Sequence, residues 1–224
     1  MTPDERAVLR DAAAHLVVDD LDLVGLDRDS EHHLFRVLRV RDGEIVTVTD
    51  GAGGWRTCRV VDGTVRPDGE VRREPAPVRP VQVAFAIPKR DRPEWIVQKL
   101  TELGVARIVL LHAERSVVRW DAERAAKHRR KLEKVIVEAL QQSRGVWLPT
   151  LDGPVDAADV MADFVAAEPG GRPLTDGDGS IAIGPEGGWT ADELELAAGR
   201  VDLGSTVLRV ETAALAAAAH LRLR

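Results

Sequence analysis

Aromatic side chains are scarce: five Trp, three Phe and no Tyr make up 4% of the chain. A surface that reads many bases by stacking is therefore not expected. Cys58 is the single cysteine, so no disulfide can form within the chain. No apolar run reaches the ~20 residues of a membrane span. The opening MTPDERAVLRDAAAH lacks the basic and apolar regions of a secretory signal. Together these absences predict a cytoplasmic protein with no membrane partner. The six histidines, among them His32-His33 and the single His112, His128 and His220, show no ligand spacing, so no metal is expected. Neither G-x-G-x-x-G nor a P-loop occurs, which argues against a dinucleotide-dependent oxidoreductase. An excess of positive charge is also missing, the formal net charge being −6.

The distribution of charge is more telling than its sum. Residues 1–75 hold 11 basic and 16 acidic side chains, residues 76–148 hold 15 and 8, and residues 149–224 hold 5 and 13. A basic middle between acidic flanks suits either a polyanionic partner or a solvated helix face. With 44% hydrophobic residues over 224 positions, one large domain or two small ones is expected. Ser30 can cap a short helix over 30–40, with Leu34, Val37 and Leu38 on one face. EIVTVTD (44–50) and WRTCRVV (55–61) alternate as strands around a GAGG turn. EPAPVRP (74–80) reads as a linker. It divides a β-rich module, 1–75, from a second domain, 76–224.

Beyond the linker the period changes. VQVAFAI (81–87) and RIVLLH (107–112) read as strands. DRPEWIVQKLTELG (91–104) carries helix signals at both ends: Asp91 as N-cap, Glu94 three residues on, Pro93 in the first turn and Gly104 as C-cap. Ile96, Leu100 and Leu103 form its buried stripe. A long helix is predicted over 121–143, with Leu132, Val135, Ile136, Ala139 and Leu140 inward. A Gly/Asp/Pro-rich loop over 168–180 precedes the strand SIAIG. Strand–helix alternation of this kind defines an α/β fold with a mainly parallel sheet.

IAIGPEGGWTADELELA (181–197) places Gly184-Pro185-Glu186-Gly187-Gly188 between a buried strand and a helix. The carboxyl ends of strands are where open α/β sheets bind ligands, and glycines let a ligand approach bare backbone. Thr190 and Glu193 form a capping box, which occupies the amides a phosphate would use. A tight turn without a ligand is the alternative. VDLGSTVLRVETAALA (201–216) again runs from strand through a glycine loop into helix. Two such loops at one end of a sheet can wall a shared cleft.

IGPEGGW followed by LGSTVLRVETAALAA resembles the ribosomal small-subunit methyltransferase E family of the SPOUT superfamily, whose members methylate N3 of one uridine in 16S ribosomal RNA. HHLFRVLRVRDGE (32–44) is similar to the family's amino-terminal β-barrel, itself similar to RNA-binding PUA domains. PKRDRPEWIVQKLTELGV (88–105) is similar to the first helix of its knotted domain. The resemblance implies a PUA-like β-barrel over 1–75, a deep trefoil knot of SPOUT type within 76–224, and a homodimer. It implies S-adenosylmethionine as cofactor, with S-adenosylhomocysteine as product, and no metal. Its cofactor loops map onto Ile183, Gly184, Pro185, Glu186, Gly187 and Gly188, and onto Leu203, Gly204, Val207, Leu208 and Arg209. Backbone groups would bind adenine and ribose, with Ile183, Leu203, Val207 and Leu208 lining the pocket. The chain departs from the family at Thr206, where arginine is common. In Gln141-Gln142-Ser143-Arg144-Gly145 the order of glycine and arginine is reversed from the usual Glu-Gln-Ser-Gly-Arg.

A sulfonium methyl donor needs positioning rather than a metal. Methylation of uracil at C5 ordinarily uses a cysteine, and Cys58 falls in an alternating strand of the other module, as a core residue would. Methylation at N3 must remove an imide proton, so a base or an enolate-stabilising cation is useful. Arg209, Glu211 and Glu102 are the catalytic candidates, Arg209 as stabiliser of developing negative charge. Each has a structural alternative: Glu211 as a helix N-terminal charge, Glu102 as a surface partner of Lys99, Arg209 in an ion pair across the dimer. Glu186 is read as bracing its own loop. RNA contact is expected from Arg36, Arg39, Lys89, Arg90, Arg92, Gln98, Lys99 and Arg144, with help from the run Lys127 to Lys131. Phosphate and shape recognition fit this set better than stacking. The partner implied is 16S ribosomal RNA within the assembled small subunit. Competing readings are another SPOUT RNA methyltransferase, acting on ribose 2′-O or on transfer RNA, and a non-catalytic RNA-binding assembly factor.

Overall fold

The computed structural model describes residues 1–223. The chain forms two compact units, one of Met1–Pro77 with Leu140–Leu148, the other of Val78–Ala139 with Pro149 onward.

The first unit opens with helix α1 (Pro3–Asp11), closed at its start by a Thr2–Glu5 capping box. Strand β1 (His15–Val17) and helix α2 (Arg28–His32) follow, then strands β2 (Ile45–Thr49), β3 (Gly54–Val61), β4 (Thr64–Pro67) and β5 (Arg72–Arg73). The sheet runs β1-β2-β3-β4 with β5 beside β3; β1 and β2 are parallel and the other pairs antiparallel. Leu16, Leu34, Val46, Val48, Cys58 and Val60 form its core. Burial pushes the Cys58 thiol up to about 11, as suits a packing residue. The helix near residue 30 differs from expectation in two ways. Asp27, not Ser30, is the N-cap, and its carboxylate accepts the Ser30 N–H at 2.7 Å. The helix then widens into a π turn over His33–Val37, where the Leu38 N–H reaches back to the His33 carbonyl. That extra residue per turn breaks the 3.6-residue stripe, so Leu34 is buried while Val37 and Leu38 are exposed.

Residues 140–148 belong to this unit through backbone pairing that no local pattern announces. Gly53 N–H donates to the Val146 carbonyl and Leu148 N–H to that of Gly51, each at 2.8 Å. Arg144 takes the left-handed position at the helix end (φ 60°), and its guanidinium donates to the Ala12 carbonyl at 3.0 Å. Buried His15 donates from Nε2 to the Gly145 carbonyl and accepts at Nδ1 from Thr47 Oγ1, each at 2.8 Å.

The second unit contains β6 (Gln82–Ala86), α3 (Arg92–Glu102), β7 (Arg107–His112) and α4 (Ala122–Ser143), whose last turn enters the first unit. It continues with β8 (Thr150–Asp156), β9 (Val165–Pro173), β10 (Ser180–Ile183), α5 (Ala191–Leu196), β11 (Gly199–Asp202) and α6 (Val210–Arg222). The sheet order is β11-β9-β10-β6-β7-β8, and every pairing is parallel. The α/β class with a parallel sheet is as expected. Asp91 stands before α3 but its side chain makes no capping bond; Glu94 instead accepts from Lys131 Nζ at 2.7 Å. Gly104 ends α3 at φ 71°, with Val105 N–H reaching the Leu100 carbonyl at 3.0 Å. Ile96, Val97 and Leu100 are buried, whereas Leu103 is only half-buried.

The expected loop over 168–180 is half strand. β9 runs through Glu-Pro-Gly-Gly-Arg-Pro and pairs with β11 on both sides of a register break. Gly171 lies so close to Val201 that a Cβ would sit 2.7 Å from its backbone nitrogen. This glycine serves close approach of two chains, not a turn. Asp178 then fixes the entry to β10, accepting from Arg172 and from the Thr175 amide and hydroxyl. Hydrogen bonding to the Arg172 guanidinium holds its carboxyl well below the usual range.

His15 makes the first unit sensitive to acid. Desolvation lowers its pKa from 6.5 to about 4. Between those values the unfolded chain binds a proton that the folded chain refuses, so stability is intact above pH 6.5 and falls as the pH drops towards 4. The full loss is on the order of 3 kcal/mol. The stability difference between wild type and His15→Gln, from urea unfolding at pH 7.5 and 4.5, should therefore narrow on acidification; an unchanged difference contradicts the assignment.

Candidate active site

Because all six strands point the same way, the segments after β6, β7, β10 and β11 leave the same edge of the sheet. The segment after β10 is the first glycine loop. Ile183 is buried at the strand end, and Pro185 is buried behind it. The Gly188 N–H donates to the Pro185 carbonyl at 2.9 Å, closing a turn that holds Gly188 at φ 70°. Trp189 folds back over Gly184, where a Cβ would come within 2.9 Å of the indole, and its Nε1 donates to the Ala167 carbonyl at 3.2 Å. Thr190 and Glu193 then form the capping box of α5. Glu186 and Gly187 are exposed, and a Cβ on Gly188 would meet nothing within 4 Å.

The second loop hangs from Asp202. Its carboxylate accepts the Gly204 N–H at 2.9 Å and the Gly170 N–H at 3.0 Å. These backbone bonds hold the carboxyl below its ordinary value. Gly204 adopts φ 134° with open space where a side chain would stand. Val207 is 92% exposed, while Leu203 and Leu208 are half-buried. Thr206 is exposed. So this edge carries bare glycine backbone and uncovered aliphatic carbon side by side.

Arg209 occupies the N-cap position of α6 in extended backbone, with no side-chain capping bond and an exposed side chain. Glu211 follows in the first turn. Its Oε1 lies 3.4 Å from Arg92 of α3, and its buried Oε2 has no hydrogen-bond partner among the described residues. The Glu211 side chain is 16% exposed. At the other end of the same helix pair, Arg222 Nε donates to the Leu103 carbonyl at 3.2 Å. Helices α3 and α6 therefore lie alongside one another in the same direction, with both amino ends at the loops.

The other candidates divide cleanly. Lys89 and Arg90 are exposed on the segment after β6, Arg90 at φ 68°. Arg36 and Arg39 are exposed in the first unit, beside the π turn. Gln98 is half-buried on α3. Glu102 is bound by Lys99 Nζ at 2.7 and 2.9 Å. It lies ten residues along α3 from Arg92, about 15 Å, so the helix does not bring it to Glu211. Arg144 is spent on the Ala12 carbonyl. The residues alone did not single out Trp189, Asp202 or Arg115. The tryptophan directly after the glycines was a usable sign; Asp202 and Arg115 have none in a single sequence. Glu193, expected as a helix cap, caps α5 and also accepts from the Glu114 N–H.

Residues 74–222 match the family model of an RNA methyltransferase domain, and residues 26–64 that of an RNA methyltransferase PUA domain. The fold and site thus define an RNA methyltransferase with a PUA-type companion. The ribosomal RNA small subunit methyltransferase E of Mycobacterium bovis is 32% identical, over 86% of this chain and 83% of its own. A methyltransferase from Legionella pneumophila, solved in complex with the bound cofactor SAM, superposes with a TM-score of 0.79 at 27% identity, covering 93% of this chain and 96% of that one. The small subunit methyltransferase E of Neisseria gonorrhoeae, bound to S-adenosyl methionine, gives 0.77 at 27% identity, covering 94% and 97%. This chain belongs to the ribosomal RNA small subunit methyltransferase E family.

The position of Glu102 has a direct consequence. A Lys–Glu pair one turn apart on a helix contributes under about 1 kcal/mol, so Glu102→Gln should leave kcat/KM for methyl transfer within about fivefold of wild type. A loss of a hundredfold would return Glu102 to the active site.

Proposed function

We infer that this chain transfers a methyl group from S-adenosylmethionine to N3 of a uridine in 16S ribosomal RNA, on the assembled small subunit. The observation that carries the reading is the meeting of three features at one sheet edge: two glycine loops, an uncovered aliphatic patch and the Arg92–Glu211 pair. The first two suit a flat, largely neutral ligand. The open space at Gly188 and Gly204 admits it to the backbone, and Val207, Leu203 and Leu208 offer apolar cover. S-adenosylmethionine, when bound, supplies a methyl group already activated on a sulfonium.

This chain's own residues then have to hold uracil and dispose of one proton. Glu211, whose buried Oε2 has no hydrogen-bond partner among the described residues, is assigned the N3 proton of uracil, which its carboxylate reaches by a rotation of the side chain towards the loops. Arg92 holds that carboxylate from the other side and, with exposed Arg209, offsets the negative charge spread onto the uracil oxygens. In this reading Arg209 stabilises developing negative charge, and Arg92 is assigned to the active site rather than to phosphate. Lys89 and Arg90 beside the loops, and Arg36 and Arg39 in the first unit, supply phosphate contacts. The same reading includes the deep trefoil knot, a homodimer and a cytoplasmic location.

Radiolabelled methyl transfer to small subunits lacking the modification, followed by nucleoside analysis, tests the reading. N3-methyluridine is the expected product; a ribose-methylated nucleoside would overturn it. Glu211→Gln should lower kcat by about 100-fold or more while S-adenosylmethionine affinity stays within twofold. Full activity in that variant would remove the base assignment.

A further inference from the structure

Gly187 is exposed, yet a side chain there would press on its neighbour. A Cβ there would come within 3.2 Å of Arg115 Cβ and 3.4 Å of the Arg115 carbonyl oxygen. The segment after β7 is packed against the first glycine loop at this point. Arg115 Nη1 reaches over the loop and donates to two carbonyls, those of Gly187 at 3.2 Å and Trp189 at 3.1 Å. The preceding residue makes a second tie: the Glu114 N–H donates to Glu193 Oε1 at 2.8 Å. Glu193 is buried, and its other oxygen holds the Thr190 N–H at 2.9 Å. Two consecutive residues after β7 thus grip the loop after β10 at its glycines and at its exit.

We propose that Arg115 is a positioning residue for the cofactor, acting through the Gly184–Gly188 loop rather than by touching the reacting atoms. The proposal rests on the reading of that loop as the S-adenosylmethionine site. Each of the loop's three glycines loses more backbone freedom on ordering than any other residue would. Left untied, it would have to be ordered by the ligand, and binding would weaken accordingly. With the Gly187 and Trp189 carbonyls held by one guanidinium and the Gly188 amide held by Pro185, the loop is set before the ligand arrives. The missing side chain at Gly187 lets Arg115 pack closely against the loop.

The test is isothermal titration of S-adenosylmethionine into wild type, Arg115→Met and Arg115→Lys, with steady-state kinetics on small subunits. Arg115→Met keeps the aliphatic stem and removes the donors. Two hydrogen bonds from a charged group correspond to at least about a tenfold change in affinity. The expected result is a tenfold or larger rise in Kd and in KM for S-adenosylmethionine. At saturating cofactor kcat should stay within twofold, and the KM for subunits should not change; Arg115→Lys should fall between. Arg115→Met that binds S-adenosylmethionine as wild type does, or that raises only the KM for subunits, would overturn the proposal. Wild type that fails to bind S-adenosylmethionine would remove the underlying reading as well.

Discussion

Strand β10 is paired on both sides, to β6 through Ser180–Ile183 and to β9 through Ile181–Ile183, always in parallel. That double pairing fixes where the chain must leave the sheet, and it leaves at Gly184. The neighbours β6 and β7, and β11 beyond β9, end at the same edge. Parallel strands are what gather loops from distant parts of the sequence into one place, because successive strands can only be reached by crossing back. The residues of the site are separated by more than a hundred positions, from Lys89 to Glu211, and share only this edge.

Within that frame, two kinds of interaction do different work. Hydrogen bonds to backbone set the loops: Asp202 holds Gly204 and Gly170, Glu193 holds Thr190 and Glu114, and Arg115 holds Gly187 and Trp189. These groups are occupied and are unavailable to a ligand. What they leave uncovered is apolar carbon and bare glycine, which is the complement of a flat neutral group. At the amino ends of α3 and α6, Arg92 and Glu211 face each other. A carboxylate in the first turn of a helix is favoured by the helix field, and here it has a cation beside it and one buried oxygen with no hydrogen-bond partner among the described residues.

Much of this was legible in the residues. The strand and helix rhythm after residue 80 gives the α/β class, and Gly104 and the Thr190–Glu193 box mark helix ends where they occur. The two glycine loops were legible as a pair. Three kinds of feature were not. Strands β8 and β9 carry Gly and Pro that look like turns, but the glycines answer to neighbouring strands: Gly171 of β9 lies against the Val201 backbone of β11, and Gly153 of the edge strand β8 against the Leu110 carbonyl of β7. The return of residues 140–148 to the first unit depends on pairing with Gly51 and Gly53, ninety residues away. Glu102 and Glu211 look alike as candidates, and only the parallel alignment of α3 with α6 separates them by a helix length. Gly187 is the instructive case: a glycine in a ligand loop that packs closely against an arginine from the segment after β7.

The central claim is that the two glycine loops together hold the cofactor. Amide hydrogen exchange with and without S-adenosylmethionine tests it most directly. The account predicts slowed exchange in both 184–190 and 203–210 on cofactor binding, with little change over residues 1–75. Slowing in only one loop, or in neither, would contradict it.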